Sequence, residues 1–241
     1  MNGQSVLMAC FAVVCGVQAQ PTAPVLKIPP VKIPIQLDQQ PIEITIWGTV
    51  SPISSAMDLT VDLGDFQDHL TPVLAAQLNR QDRCGERLLV ERATLAPATP
   101  TGLLTANINF ERYACVKAFG KQIVKKLVGG HGVIEVSLTP WVEDNEIMLS
   151  AEVQKIDADG SLGDVLRSGS VGDSIREQIE DSVTESIQKL VNLKSALPAA
   201  IENAVSIKSV QFADGGAGRL WLTTNGRVNL SIEELRRAVG Q

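Results

Sequence analysis

The sequence predicts an α+β fold in which long antiparallel strands pack against one long helix and one shorter helix. Apolar and polar residues alternate through several stretches, which is typical of strands with one buried face. An apolar stripe of helical spacing runs from Ile175 to Val191 over about five turns. A shorter stripe of the same kind runs from Phe66 to Leu78 and predicts the second helix.

The N-terminal 19 residues predict export. Ser5–Val17 is mostly apolar but shorter than the ~20 residues that a membrane-spanning helix needs. Val17-Gln18-Ala19 has the small residues of a cleavage site, so we interpret residues 1–19 as a secretory signal peptide. This implies a periplasmic or secreted protein whose mature chain has no transmembrane helix. Leu7–Cys10 resembles a lipobox but lies close to the start of the chain, which disfavours lipidation.

Two cysteines, Cys84 and Cys115, remain in the mature chain. An even pair in an exported protein favours a disulfide, and the C-x-x-C spacing that activates redox thiols is absent. Closing the loop between them would stabilise the fold by roughly 3 to 4 kcal/mol by restricting the unfolded chain. The alternative is two unrelated thiols in a reducing compartment.

Composition argues against several classes of function. The formal net charge is −6, which disfavours binding to nucleic acid and simple attraction to anionic lipid headgroups. Aromatic residues make up 4% of the chain, too few for platforms that stack bases or sugars. Apolar residues make up 44%, enough for a substantial core, and we predict one α+β domain over residues 42–241.

Residues 20–41 precede this domain as a proline-rich extended segment, QPTAPVLKIPPVKIPIQLDQQP. Its six prolines exclude a helix and allow sheet pairing only at an edge. Its regularly placed valine and isoleucine residues favour contact with the domain, whereas a solvated linker is the alternative.

The domain begins with two predicted strands and the shorter helix. Ile42–Ile46 and Met57–Leu63 alternate apolar and polar residues, as a half-buried pair of strands does. Pro72 falls inside the following apolar stripe. The helix therefore either kinks at Pro72 or begins there with Thr71 as its N-cap.

The middle of the chain predicts an antiparallel meander. Gly129–Gly132 and Glu143–Asn145 are interpreted as turns between strands. The predicted strands are Leu88–Leu95, Leu103–Val116, Ile134–Thr139 and Ile147–Gln154.

The long helix is followed by a predicted closing pair of strands. Val205–Phe212 has a period-two pattern whose phase slips once, which indicates a bulge. Leu220–Leu230 returns after a glycine-rich turn, and Asn225-Gly226 predicts a further tight turn within it.

The acidic stretch Asp157–Gly160 raises the question of a calcium loop. An EF-hand loop needs glycine at its sixth position and a bidentate glutamate at its twelfth, with helices on both sides. Here the glycine comes too early and the preceding segment alternates like a strand. We interpret the stretch as the corner between a strand and a helix.

No sequence motif predicts catalysis, so the protein is not expected to be an enzyme. His69 and His131 are the two histidines, and neither lies in a triad-like or metal-binding pattern. Ser168–Gly172 lacks the first glycine of a nucleophile elbow. Neither a cofactor nor a metal ion is expected.

The order of elements resembles that of the tubular lipid-binding (TULIP) superfamily, the group of bactericidal permeability-increasing protein. The stretches that carry the resemblance are Glu135–Ile156, Ile175–Val191 and the terminal AVSIKSVQFADGGAGRLWL. The resemblance implies a long curved antiparallel sheet that wraps the long helix and leaves a groove for acyl chains. It covers roughly residues 42–230 and concerns element order, since the superfamily has no ligand motif that transfers residue by residue.

The functional hypothesis is a non-catalytic binding protein for a lipid or other apolar small molecule in the bacterial envelope. The alternative is a structural or adaptor protein of the envelope with a solid core and a protein partner. The candidate groove residues are those of the helical stripe and the facing strand positions. They are Ile175, Ile179, Val183, Ile187, Leu190, Val136, Leu138, Leu149 and Val153.

Overall fold

The structure is a computed structural model that describes residues 25–37, 40–81, 84–118, 121–160, 163, 170–191, 204–230 and 233–234. Two five-stranded antiparallel sheets and two long helices make up this part of the chain, so the predicted α+β class is confirmed. The strands are β1 Leu26–Leu37, β2 Gln40–Val50, β3 Ala56–Asp62, β4 Arg80–Gln81, β5 Gly85–Ala98, β6 Thr101–Ala118, β7 Lys121–Glu143, β8 Glu146–Ala158, β9 Val205–Asp214 and β10 Leu220–Val228. The helices are α1 Gly64–Leu78 and α2 Ser170–Val191. The predicted signal peptide lies outside the described residues.

The first sheet has the strand order β1-β2-β3-β10-β9. The proline-rich segment supplies its edge strand β1, which pairs with β2 and bulges between Ile28 and Val31, where Pro29 and Pro30 lie. Proline has no N–H group to donate, so an edge position leaves no ladder hydrogen bond unmade. The segment therefore packs against the domain as a strand.

The second sheet is the predicted meander, with the order β4-β5-β6-β7-β8. The predicted turn at Gly129–Gly132 is wrong, because β7 runs through it as part of a strand of 23 residues. A Cβ atom at Gly132 would lie 3.2 Å from the Cβ of Ala158, so this glycine serves close packing between strands. The meander reverses instead between Ala118 and Lys121, and the two residues between them lie outside the described part.

The closing strands confirm the predicted bulge and correct the predicted turn. The register of β9 and β10 shifts between Asn225 and Gly226, opposite Lys208, as the slipped pattern indicated. Asn225 and Gly226 continue β10, so the prediction of a tight turn there is wrong. A side chain at Gly226 would collide with the carbonyl oxygen of Ser206, which explains the glycine without a turn.

One edge of β5 pairs with β6, and the described part of β4 covers the other edge only at Arg87 and Leu88. Helix α1 lies along the rest of that second edge. Pro72 is inside the helix, and the Thr71 hydroxyl bonds the backbone of Ala93 on β5 rather than capping a new helix. The side chain of Asn79 likewise accepts the N–H of Val90 at 2.7 Å. These side chains satisfy backbone groups that would otherwise be unpaired at a sheet edge.

A single side chain in the β7–β8 turn links the two sheets. Asn145 donates from Nδ2 to the carbonyl oxygen of Val205 at 2.9 Å and accepts the N–H of Ile207 at 2.6 Å. Both groups lie on β9, the edge strand of the first sheet. Asn145 itself has a φ of 66°, a left-handed conformation that asparagine tolerates better than most residues.

One further feature, a disulfide, bears on the predicted compartment. Cys84 and Cys115 form a disulfide, which confirms the predicted bridge and ties the start of β5 to the outer part of β6. No helix in the described residues is long and apolar enough to cross a membrane.

The Asn145 link predicts a measurable loss of stability on substitution. Asn145→Gly keeps the left-handed turn accessible but leaves the backbone groups of Val205 and Ile207 without their partner. We expect the free energy of unfolding, measured by urea denaturation, to fall by about 1 to 3 kcal/mol. The control is Asp144→Gly, at a neighbouring turn position with a φ of 48°, which should be neutral or stabilising. Equal effects of the two substitutions would show that the side-chain link contributes nothing.

Candidate binding site between helix α2 and the second sheet

Helix α2 is attached to the edge strand β8 by polar side chains. Gln188 accepts the N–H of Leu149 at 3.0 Å and donates to the carbonyl oxygen of Ile147 at 2.6 Å. Two turns earlier, Glu180 accepts the N–H of Val153 at 2.8 Å. The helix therefore lies along β8 and satisfies three backbone groups on the outer edge of that strand.

The apolar stripe of α2 faces the interior of the protein, beside the polar contacts with β8. Ile179, Val183 and Ile187 follow one another at four-residue spacing, and each is at most 3% exposed. The predicted strand residues share the interior face of the second sheet: Val136 and Leu138 are fully buried, and Leu149 is 2% exposed. Val153 is half-buried and packs against the same core.

The structure thus brings seven of the nine candidate residues into one apolar cluster. The side chains of Ile175 and Leu190 lie outside the described part of the structure. Strand pairing explains the convergence, since Val136 lies opposite Val153 across β7 and β8 and Leu138 lies opposite Ala151. Their side chains therefore point to the same side of the sheet.

The seven candidate residues in this cluster are all aliphatic. Among the described residues, Thr224 is the one buried polar side chain, and it lies on β10 in the first sheet. A surface of leucine, isoleucine and valine offers no hydrogen bond to a polar ligand and excludes water from whatever it contacts. Such a lining suits an acyl chain or the packed interior of the protein itself.

A polar cleft of about 350 Å³ lies elsewhere, beside the middle of β7. His131 Nδ1 lies 3.2 Å from a carboxylate oxygen of Glu91, and Asn107, Asp157 and Asp159 complete the rim. The His131 side chain is 68% exposed, so it has the environment of a surface ion pair. Sequence reasoning missed this cleft because its residues come from four segments.

The remaining polar candidates are structural in the described part of the chain. His69 Nδ1 lies 2.8 Å from the carbonyl oxygen of Asp65, one turn earlier in α1. β8 ends at Ala158, and Gly160 follows with a φ of 56°, so the acidic stretch forms the corner at the end of the strand. The described residues hold no group of three or more metal-ligating side chains. Ser168 lies outside these residues.

A charged cluster marks the point where β6 and β7 leave the core. The Glu111 carboxylate accepts hydrogen bonds from Lys126 Nζ at 2.6 Å and from the Tyr113 hydroxyl at 2.8 Å, and Arg87 lies 3.3 Å away. The hydrogen bonds from Lys126 and Tyr113 lower the pKa of Glu111 to about 2. The same contacts raise the pKa of Lys126 and of Tyr113.

Comparison with known proteins gives distant structural similarity to a solved structure. Neither a family model nor a curated protein sequence matches this chain. A solved structure described as "Crystal structure of lipopolysaccharide binding protein" is similar to it at 11% sequence identity, with a TM-score of 0.26. The similarity covers 83% of this chain and 42% of that chain, so the present protein spans less than half the length of the other. A TM-score of this size establishes neither a shared fold nor a shared function, and the resemblance to the tubular lipid-binding superfamily stays a prediction.

The attachment of α2 predicts an effect for Gln188. Gln188→Ala leaves one N–H and one carbonyl oxygen of β8 unpaired at a partly buried edge. We expect the free energy of unfolding to fall by about 1 to 3 kcal/mol, with faster amide exchange at Leu149. Gln154→Ala, at an exposed position of the same strand, is the matched control and should change neither quantity. Unchanged exchange at Leu149 in the Gln188 variant would contradict the attachment.

The lowered pKa of Glu111 predicts a pH-dependent contribution to stability. Because the folded-state pKa is about 2 and the ordinary value is 4.5, the contribution is complete above about pH 4.5 and is lost as the pH falls toward 2. Glu111→Gln should therefore destabilise the protein near neutral pH, and the difference from the wild type should shrink below about pH 4.5. Urea denaturation at a series of pH values tests this. Glu146→Gln, which removes an exposed carboxylate from β8, is the control, and a difference of constant size down to pH 2 would refute the assignment.

Proposed function

We propose that the protein is an exported, non-catalytic binding protein of the bacterial envelope whose ligand is a lipid or another apolar small molecule. The ligand would lie between α2 and the interior face of the second sheet, along the candidate groove residues. The observation that carries the proposal is that the buried candidate residues of the helix and of the sheet are all aliphatic and belong to one cluster. In this proposal the sheet and the helix together enclose a tubular space of the lipid-binding kind.

An aliphatic lining of this kind can supply the binding free energy of an acyl chain. Each acyl CH₂ group removed from water contributes about 0.8 kcal/mol, so a chain of ordinary length needs no polar contact along its body. Ligand sites are commonly concave and apolar, with a few polar groups at one end. The polar side chains Glu180 and Gln188 lie at the boundary of the aliphatic surface, where they hold the helix to β8.

The attachment of α2 also supports exchange of a ligand. The polar contacts between α2 and β8 include hydrogen bonds made by the side chains of Gln188 and Glu180. A helix held in this way can separate from the strand without breaking a continuous backbone ladder, since β8 pairs with β7 on its other side. An apolar ligand would gain access along the line where helix and strand meet.

The export part of the proposal rests on the predicted signal peptide and on the disulfide. A bridge between Cys84 and Cys115 is typical of oxidising compartments such as the periplasm. The proposal assigns no catalytic residue, because His69 and His131 each lie beside a surface carboxylate on different elements of the fold.

Native mass spectrometry of protein purified from its envelope fraction, followed by lipid extraction, tests the proposal directly. We expect one apolar molecule per chain and rebinding of a fluorescent long-chain fatty acid after delipidation. Val183→Trp fills the space between helix and sheet and should weaken fatty-acid binding roughly tenfold or more while thermal unfolding stays cooperative. Asp181→Trp, which adds the same ring at an exposed position of α2, should bind like the wild type.

If Val183→Trp fails to fold, the smaller substitution Ile187→Ala still tests the proposal. If Ile187 lines a ligand space, Ile187→Ala should retain fatty-acid binding and reduce the free energy of unfolding of the delipidated protein by less than about 1 kcal/mol. A packed core predicts a loss of about 2 to 5 kcal/mol for the same change. That loss, together with a ligand-free mass that envelope lipids do not alter, would overturn the proposal in favour of a solid-core adaptor protein.

A further inference from the structure

Strands β6 and β7 extend beyond the core as an arm, defined as Glu111–Ala118 of β6 and Lys121–Val128 of β7, which is two-stranded beyond Tyr113. The pairing of β5 with β6 ends at Tyr113, and that of β8 with β7 ends at Gly132. No side chain whose burial is described in the arm is buried, whereas Phe110, immediately before it, is 1% exposed. The arm is therefore a projection from the second sheet with solvent on both of its faces.

Large apolar side chains are concentrated on this projection. Of nine such side chains exposed in the described residues, four lie in the arm: Val116 at 61%, Ile123 at 56%, Val124 at 38% and Leu127 at 58%. Val116 and Ile123 are cross-strand partners, so their side chains lie next to each other on one face. Packing among the described residues does not explain this pair, because neither side chain belongs to the core or packs against it.

The arm is also the basic part of an acidic protein. Residues 111–128 contain five lysine and arginine residues and one acidic residue, a formal charge of +4, so the rest of the chain carries −10. In the described part of the chain Lys126 pairs with Glu111, whereas Lys117, Lys121 and Lys125 take part in no ion pair. All three are exposed and stand beside the apolar side chains.

The root of the arm is held firmly. The disulfide joins Cys115 to Cys84 at the start of β5, and the Glu111 cluster links Arg87 on β5 to Lys126 on β7. These contacts fix the direction in which the outer residues project. The apolar pair shares its face of the arm with Lys121 and Lys125, whereas Lys117 lies on the opposite face.

We propose that the arm docks the protein on an anionic lipid bilayer surface. Val116, Ile123, Val124 and Leu127 would enter the boundary between headgroups and acyl chains, while lysine side chains extend to the lipid phosphates. Basic residues near an anionic leaflet are attracted to it over about one Debye length. This inference is independent of the proposed ligand site, because it involves neither α2 nor the interior of the sheet.

The size of the arm favours a bilayer over a protein partner. The five residue pairs beyond Tyr113 span about 17 Å, and two strands are about 10 Å wide, so each face covers on the order of 200 Å². Stable protein interfaces bury about 800 Å² on each partner. Lysine at a sheet edge also prevents strand pairing between molecules, but that role does not account for an exposed pair of β-branched apolar side chains.

Cosedimentation of the full-length mature protein with vesicles tests the proposal. The protein should sediment with vesicles of equal parts phosphatidylglycerol and phosphatidylcholine, and not with phosphatidylcholine alone. Replacing Lys117, Lys121 and Lys125 by glutamine should weaken the partition roughly a hundredfold, about fivefold per lysine. Lys27, Lys155 and Lys208, replaced together by glutamine, remove equal charge from other strands and should change the partition less than about threefold.

A second pair of variants tests the apolar part of the contact. Val116→Ser with Ile123→Ser should weaken binding roughly tenfold and leave its salt dependence unchanged. Val25→Ser with Val31→Ser, at exposed positions on and beside β1, is the control and should bind like the wild type. Equal partition of the wild type and the arm variants, or arm-dependent binding to an acidic protein without vesicle binding, would overturn the proposal. The arm variants should bind fatty acid like the wild type. This measurement distinguishes failure of the arm proposal from failure of the proposed ligand site.

Discussion

The arrangement of the fold depends on how the unpaired backbone groups at the sheet edges are satisfied. A strand at the edge of a sheet presents N–H and C=O groups that must find partners when they are removed from water. Here side chains supply several of the partners: Thr71 and Asn79 for β5, Gln188 and Glu180 for β8, and Asn145 for β9. Each of these bonds also fixes the position of the element that supplies it.

This constraint explains why the two helices lie where they do. Apolar stripes alone would let α1 and α2 slide along a hydrophobic surface, because the hydrophobic effect is not directional. Gln188 sets the register of α2 on β8, because its side chain accepts the N–H of Leu149 and donates to the carbonyl oxygen of Ile147. With the register set, Ile179, Val183 and Ile187 face the interior residues of β7 and β8. The candidate binding surface is therefore a consequence of polar contacts at its border.

The sequence predicts the elements of this fold better than their contacts. The helical spacing from Ile175 to Val191 and the alternation in β8 are local patterns, and both elements are present. Gly129–Gly132 was predicted as a turn because glycine clusters usually mark turns, but the reason for Gly132 is its closeness to Ala158, a tertiary contact. The apolar half of the candidate site could be predicted from spacing. The polar contacts at its border could not be predicted in this way. Gln188 is 39 residues away in sequence from Leu149, whose N–H it accepts, and no local sequence pattern indicates that the two residues meet.

The distribution of charge over the protein likewise does not follow from the net charge of the sequence. A net charge of −6 disfavours attraction to anionic headgroups only if the charge is spread evenly, and the structure separates a basic arm from an acidic remainder. The arm extends about 17 Å beyond the end of its pairing with β5, which is longer than the Debye length of about 8 Å at physiological ionic strength. Repulsion between an anionic surface and the acidic remainder is therefore largely screened at that distance, while Lys117 and Lys121, the lysines nearest the outer end of the arm, lie within range. The basic arm and the acidic remainder are separated along the axis of the arm. The electric field of this charge separation would therefore orient the molecule with the arm toward the anionic surface before contact.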